Sequence, residues 1–212
     1  MVKGFAELQP QPTPFEPFVQ ELAVTFSLKN GFREKLADMD RVVDRSPAFE
    51  SLREILFDLL MVRYLSTDSK MMDPDYLDSP DWLKIEDKTI DRGSEMLNLL
   101  LYLCDCLDSE VEPSLDDFLE EFLLINEEEF ADELVLYEDI IENRELAGED
   151  AETIVATHQK LGDDSQVIDF FIPLFAFFSE VDSNELKGQL KQHHTEPAVQ
   201  YAIYNTLKSF AE

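Results

Sequence analysis

The chain has 212 residues, with 47 Asp and Glu against 17 Lys and Arg, and a formal net charge of −30. That balance excludes an ordinary nucleic-acid binder, whose affinity comes from Lys and Arg displacing phosphate counterions, and anionic membranes would repel it. A hydrophobic share of 44%, including 16 Phe, sets it apart from disordered acidic chains and is enough for a sizeable core.

Residues 1–17 contain Pro10, Pro12, Pro14 and Pro17. Each proline pushes its predecessor toward extended geometry, so this stretch reads as an extended arm, with Phe5, Phe15 and Phe18 as anchors. Lys3 is its single basic residue and no apolar region follows Lys3, so it does not read as a secretory signal. Residues 18–212 read as a single all-helical domain, because β-branched runs that alternate with period two are absent.

Helices are expected over 18–28 and 32–44. Ser46-Pro47 is an N-cap followed by proline at the first helical position, opening 47–65, whose Phe49, Leu52, Ile55, Leu56, Leu59, Leu60 and Val62 recur at helical steps. A polar loop over 66–78 precedes a second Ser-Pro start at Ser79-Pro80. The helix that follows is interrupted near Gly93 and continues through Met96, Leu100 and Leu103. Trp82 sits just inside its start and reads as core. Asp73, Asp75, Asp78 and Asp81 look superficially like a calcium loop, but Pro80 stands where the required glycine belongs.

Ser114, with Asp117 three residues on, is a capping pattern. Apolar positions then run Leu115, Phe118, Leu119, Phe122, Leu123, Phe130, Leu134, Tyr137, Ile140 and Ile141. This is either one long helix or two broken near 126–128, ended by Gly148. Helices over 150–161, a Phe-rich run over 167–178 containing Pro173, 184–193 capped by Ser183, and a final helix from Pro197 complete the chain. About eight to ten helices point to an all-α bundle or an irregular helical array. At twelve residues the Phe-rich run is too short to span a membrane, which takes roughly 20; its surplus rings fill a deep core, line an apolar pocket or are hidden in a homodimer interface.

The charge is local. Residues 108–152 hold 19 acids and one base, Arg144, a net of −18 in 45 residues. Asp117, Glu120, Glu121, Glu127, Glu128, Asp132, Glu138 and Glu142, with Glu145, fall opposite the apolar stripe. Like charges at helical spacing cost roughly 0.2–0.5 kcal/mol per pair. They form either a solvated face serving solubility, also in a high-salt habitat, or a docking surface whose single-sign field steers a basic partner. A strip that imitates a nucleic-acid backbone is a variant of the second.

Chemistry is harder to find. No GxSxG elbow, HExxH or glycine-rich phosphate loop occurs. Glu129 with Asp132, Glu142 with Glu145 and Glu149 with Glu152 have the spacing of magnesium-binding helix pairs, at about the frequency that so many acids generate by chance. His158, His193 and His194 form no ligand pattern, and His193-His194 reads as a helix C-terminal turn. Cys104 and Cys106 point away from each other on a helix and read as free thiols of a reducing cytosol.

The expectation is therefore a non-enzymatic cytoplasmic protein-binding module, an adaptor, small chaperone or inhibitor, that offers the acidic face to a basic protein partner. It has no catalytic or metal-ligating residues, no cofactor, and no nucleic-acid or membrane partner. The alternative is an all-α phosphohydrolase using Mg or Mn held by clustered carboxylates.

Overall fold

A computed structural model describes residues 1–9, 15–27, 30–68, 79–89, 92–127, 130–162, 165–193 and 196–211. It is all-helical, with 79% helix and, among the described residues, thirteen α-helical segments and no strand. The count exceeds the eight to ten expected because the 115–146 stretch breaks into short pieces and because residues 2–8 are helical. No helix of the described residues is long and apolar enough to cross a membrane. The polar loop expected over 66–78 falls mostly outside the described residues, as do Pro10, Pro12, Pro14, Glu128, Glu129 and His194.

The chain forms two compact units, one of residues 11–101 with Val2, the other of Met1, 3–10 and 102–212. The first contains α2 (Glu16–Ser27), α3 (Phe32–Asp44), α4 (Arg53–Arg63), α5 (Pro80–Thr89) and the start of α6 (Glu95–Ser109). Ser46-Pro47 opens a 3-10 turn, Pro47–Leu52, before α4 begins. Ser79 does cap α5, its Oγ accepting from Trp82 N at 3.2 Å. Rings join these helices: Phe18 stacks on Phe49 at 4.3 Å, Phe32 meets Tyr64 at 4.8 Å, and Tyr64 stacks on Trp82 at 6.0 Å.

Two polar clusters brace this unit. Arg92 grips Asp40 with both Nη atoms at 2.9 Å and lies over the Phe57 ring, while Arg53 donates to Asp40, Asp44 and Glu50. Burial alone would raise the Asp40 pKa, but the two guanidinium groups hold it below the ordinary value. Beside this lies Asp58, fully buried on α4. Its carboxylate accepts from Ser94 N at 3.1 Å and from Ser94 Oγ at 2.5 Å, at the residue before α6 begins. Gly93 precedes with φ +101, and a Cβ there would meet Asp58 Oδ1 at 3.0 Å, so both backbone freedom and space call for glycine.

The second unit contains α1 (Val2–Leu8), the end of α6, α7 (Leu115–Asp117), α8 (Ala131–Leu136), α9 (Glu138–Glu142), α10 (Ala151–His158), α11 (Ile168–Phe178), α12 (Ser183–His193) and α13 (Pro197–Ala211). The first residues are thus helical, where an extended arm was expected. Val2, Phe5 and Leu8 repeat at three-residue steps and are buried, so apolar periodicity outweighs the prolines that follow. Gly4 fits against α13, where a Cβ would come within 2.9 Å of Asn205, and Glu7 pairs with Lys187 at 2.5 Å.

The Phe-rich run is α11. Residues Phe170 to Ala176 are all buried, and Phe177 and Phe178 are half-buried; α11 packs against α10 and α13. The surplus rings therefore line the core of this unit. Pro173 lies inside α11 and can donate no hydrogen bond to the carbonyl of Asp169, four residues back. The α12 start is capped by Asp182, whose Oδ1 accepts from Asn184 N and Glu185 N, and not by Ser183.

Helices α6 and α11 end alike. Glu110 and Glu180 adopt positive φ, 57° and 51°, and the next N–H returns to a carbonyl five residues back, Val111 to Cys106 and Val181 to Ala176, each at 3.0 Å. Glycine is the residue that favours this cap, and a glutamate there also opposes the helix dipole. Glu180→Gly is expected to stabilise the protein by about 1 kcal/mol, read as a higher midpoint in urea; a lower midpoint would show that the glutamate side chain holds something the cap geometry does not explain.

Candidate functional site

The acidic segment is tethered at its start by Tyr102 in the middle of α6. The Tyr102 hydroxyl donates to Ser114 O at 3.1 Å and accepts from Ser114 N at 2.9 Å. Burial pushes its pKa up. Ser114 Oγ in turn accepts from Asp117 N at 3.1 Å, the cap expected from the sequence. A single turn of α7 then widens into a π-helical turn, Phe118–Phe122.

This turn is anchored by rings. Phe118 is fully buried and meets Tyr102 at 5.4 Å, Tyr137 at 6.0 Å, Phe122 at 6.1 Å and Phe178 at 6.4 Å. Leu115 and Leu119 are buried beside it, and Asp116, Asp117, Glu120 and Glu121 face outward. The helix then stops. Leu123 and Ile125 are buried while Leu124 between them is exposed with φ +53. The long helix, or the pair broken near 126–128, is replaced by a chain of short turns: α7, the π turn, α8, α9 and a 3-10 turn, Arg144–Leu146.

Asp117, Glu120, Glu121, Glu127, Asp132, Glu138 and Glu142 are all exposed. Glu128 lies outside the described residues. The structure therefore puts the described members of the set on the surface, but spread over α7, the π turn, the turn at Glu127, α8 and α9 and not on one helix face. Glu120 differs from the others: its Oε1 accepts from Arg144 Nη1 at 2.8 Å, and Asp116 stands 3.8 Å from the same atom. Arg144 is half-buried and its Nε has no partner. The one base of 108–152 is thus committed to Glu120, and none within the segment is left for the remaining acids.

The acidic part of the chain also carries exposed apolar side chains. Leu107, Val111, Leu124, Leu134 and Val135 are exposed by 37% to 58%. Leu134 was expected on the buried stripe. A heptad-like spacing cannot tell a buried leucine from an exposed one once the helix is cut into short turns.

The pairs with magnesium-type spacing do not converge: Glu142, Glu145, Glu149 and Glu152 are each exposed, and Glu129 lies outside the described residues. Among the described residues no group of three or more His, Cys, Asp or Glu is arranged to hold a metal ion. His158 Nε2 is 2.9 Å from Ile168 O, and burial lowers its pKa; His193 is exposed at the end of α12. Cys104 is half-buried and Cys106 buried, and neither is in a disulfide.

Comparison with protein-family models, with curated proteins and with solved structures gives no match.

Proposed function

We propose that the protein is a non-enzymatic binding module, an adaptor, small chaperone or inhibitor, that receives a basic protein partner on the 116–142 surface. The observation that carries this reading is the pairing pattern of the segment. Its single base, Arg144, serves Glu120, while Asp117, Glu121, Glu127, Asp132, Glu138 and Glu142 stand exposed. A dense field of one sign raises the encounter rate of an oppositely charged partner. It lowers the stability of the free protein by self-repulsion, which a bound cationic surface would relieve.

A cytoplasmic location belongs to the same reading, because two cysteines that form no disulfide suit a reducing compartment. An acidic surface also opposes self-association at this face, so the partner is a different chain.

The test is reversal of Glu121, Glu127, Asp132, Glu138 and Glu142 to lysine. Glu120 stays, so that its pair with Arg144 survives. Titrated with an arginine-containing peptide at low salt, the natural protein is expected to bind with an affinity that falls steeply as salt rises, and the variant to lose at least about tenfold with a flattened salt slope. Circular dichroism checks that helix content is kept. Equal affinity in a folded variant would refute the reading.

A further inference from the structure

Helix α8 is a helix without an interior. None of its residues is buried. Ala131, Asp132, Leu134 and Val135 are exposed, Leu134 by 45% and Val135 by 58%, while Glu133 and Leu136 are half-buried. Successive residues turn by about 100° around a helix. Residues 134, 131, 135 and 132 therefore fall side by side, in that order, around the outward arc. Three apolar side chains are adjacent, with Asp132 at one edge of them. Scattered apolar residues on a surface are ordinary, but an apolar strip with a polar rim marks an interaction site.

The rim is anionic. Glu127 precedes α8, and Glu138 and Glu142 follow on α9, all exposed. A second copy of this chain would bring the same carboxylates against these, Asp132 against Asp132 in a two-fold arrangement, so like-charge repulsion opposes it. A partner with cations alone would leave Leu134 and Val135 wet. One with apolar side chains alone would strip solvent from Asp132 and Glu138 without compensation. The chemistry that answers both features is a segment carrying Arg or Lys interleaved with large apolar side chains.

We propose that the partner docks such a basic amphipathic segment on α8, its apolar side chains against Ala131, Leu134 and Val135 and its cations toward Asp132, Glu138 and the neighbouring acids. This rests on the proposed function and specifies what the partner must carry beyond charge. Specificity follows from it: the acids attract every basic surface, and the apolar strip selects among them.

Three synthetic peptides of equal length test it by calorimetric titration: one alternating Arg with Leu, one alternating Arg with Ser at the same charge, and one alternating Leu with Ser without charge. The Arg–Leu peptide is expected to bind at least about tenfold tighter than Arg–Ser, since covering even one large apolar side chain is worth such a factor. Leu134→Ser with Val135→Ser should erase that difference and leave the salt dependence as it was, with only a small fall in melting temperature, because both side chains are exposed. Equal binding of Arg–Leu and Arg–Ser would overturn this inference while the basic-partner reading stands. Equal binding of Leu–Ser and Arg–Leu would overturn it too, showing an apolar site indifferent to charge. A double variant that instead lowers the sedimentation coefficient would assign the strip to a second copy. Failure of both arginine peptides to bind would remove the proposed function itself.

Discussion

Truncating Phe118 to alanine is expected to cost about 3–5 kcal/mol of stability, the range for removing a fully buried aromatic ring. The ring has no exposed surface and touches Tyr102, Tyr137, Phe122 and Phe178. Its loss would leave a cavity bounded by other rings, which cannot collapse without moving the π turn. Aromatic contacts of this kind add about 0.5–1.5 kcal/mol beyond area alone, so the upper half of the range applies. Urea unfolding followed by circular dichroism measures it. A loss under about 1 kcal/mol would mean that the acidic segment is not held by this ring. Phe122→Ala, at a half-buried position, should cost clearly less and serves as the comparison.

The second large effect depends on pH. Burial pushes the Asp58 pKa up to about 7, against the hydrogen bonds from Ser94 that favour the carboxylate, with Glu54 and Glu95 adding to the rise. The unfolded chain has an ordinary aspartate at 3.8. Between those two values the folded protein binds the extra proton, so stability from this group falls as pH rises from about 4 to about 7 and is level above. At about 1.4 kcal/mol per unit the total is on the order of 4 kcal/mol. His158 acts in the opposite sense, because its lowered pKa makes the folded state bind fewer protons below 6.5, and Glu7, Asp40 and Glu50, all lowered, withdraw their contribution in acid. The clean observable is the difference between the natural protein and Asp58→Asn, in which those groups cancel. The variant should gain relative stability steadily from pH 5 to pH 7.5. A difference that does not change with pH would show an ordinary carboxylate, ionised throughout and held by Ser94.

Neither effect was evident from composition, and the reasons differ. The helical class was legible because apolar residues recur at three and four throughout, and the starts at Ser79-Pro80, Ser114 and Asp150 carry cap chemistry that acts locally. What decides Asp58 is not local. Its neighbours Ile55, Leu56, Phe57 and Leu60 are buried with it, so an acid inside an apolar run was the available signal. Its partner Ser94, however, is 36 positions away, beyond the reach of pattern reading.

The acidic segment failed differently. It contains no glycine or proline between Pro113 and Gly148, and the one break its apolar spacing announces, near 126–128, does not account for the stops at Leu123 and Tyr137. Leu124 nevertheless enters the left-handed region, between two buried neighbours. Three consecutive apolar residues, Leu123, Leu124 and Ile125, suit an in-out-in chain as well as a helix, and burial of the outer two decides for the former. Exposure of the acids was expected from their place opposite an apolar stripe, and the described ones are exposed although no single helix carries them. The apolar strip on α8 was not expected, because exposure of Leu134 depends on where the backbone turned before it.

The pairing of Arg144 with Glu120 has a practical side. Trypsin requires Arg or Lys, and from Arg92 to Arg144 the chain offers neither. Residues 93–144 therefore leave as one fragment, and its release from the native protein waits on two half-buried guanidiniums that are already engaged, Arg92 with Asp40 and Arg144 with Glu120. Cleavage after Arg144 thus samples how often this part of the chain opens. Amine-reactive labels find no lysine there at all, so mapping of the surface belongs to carboxyl-directed chemistry.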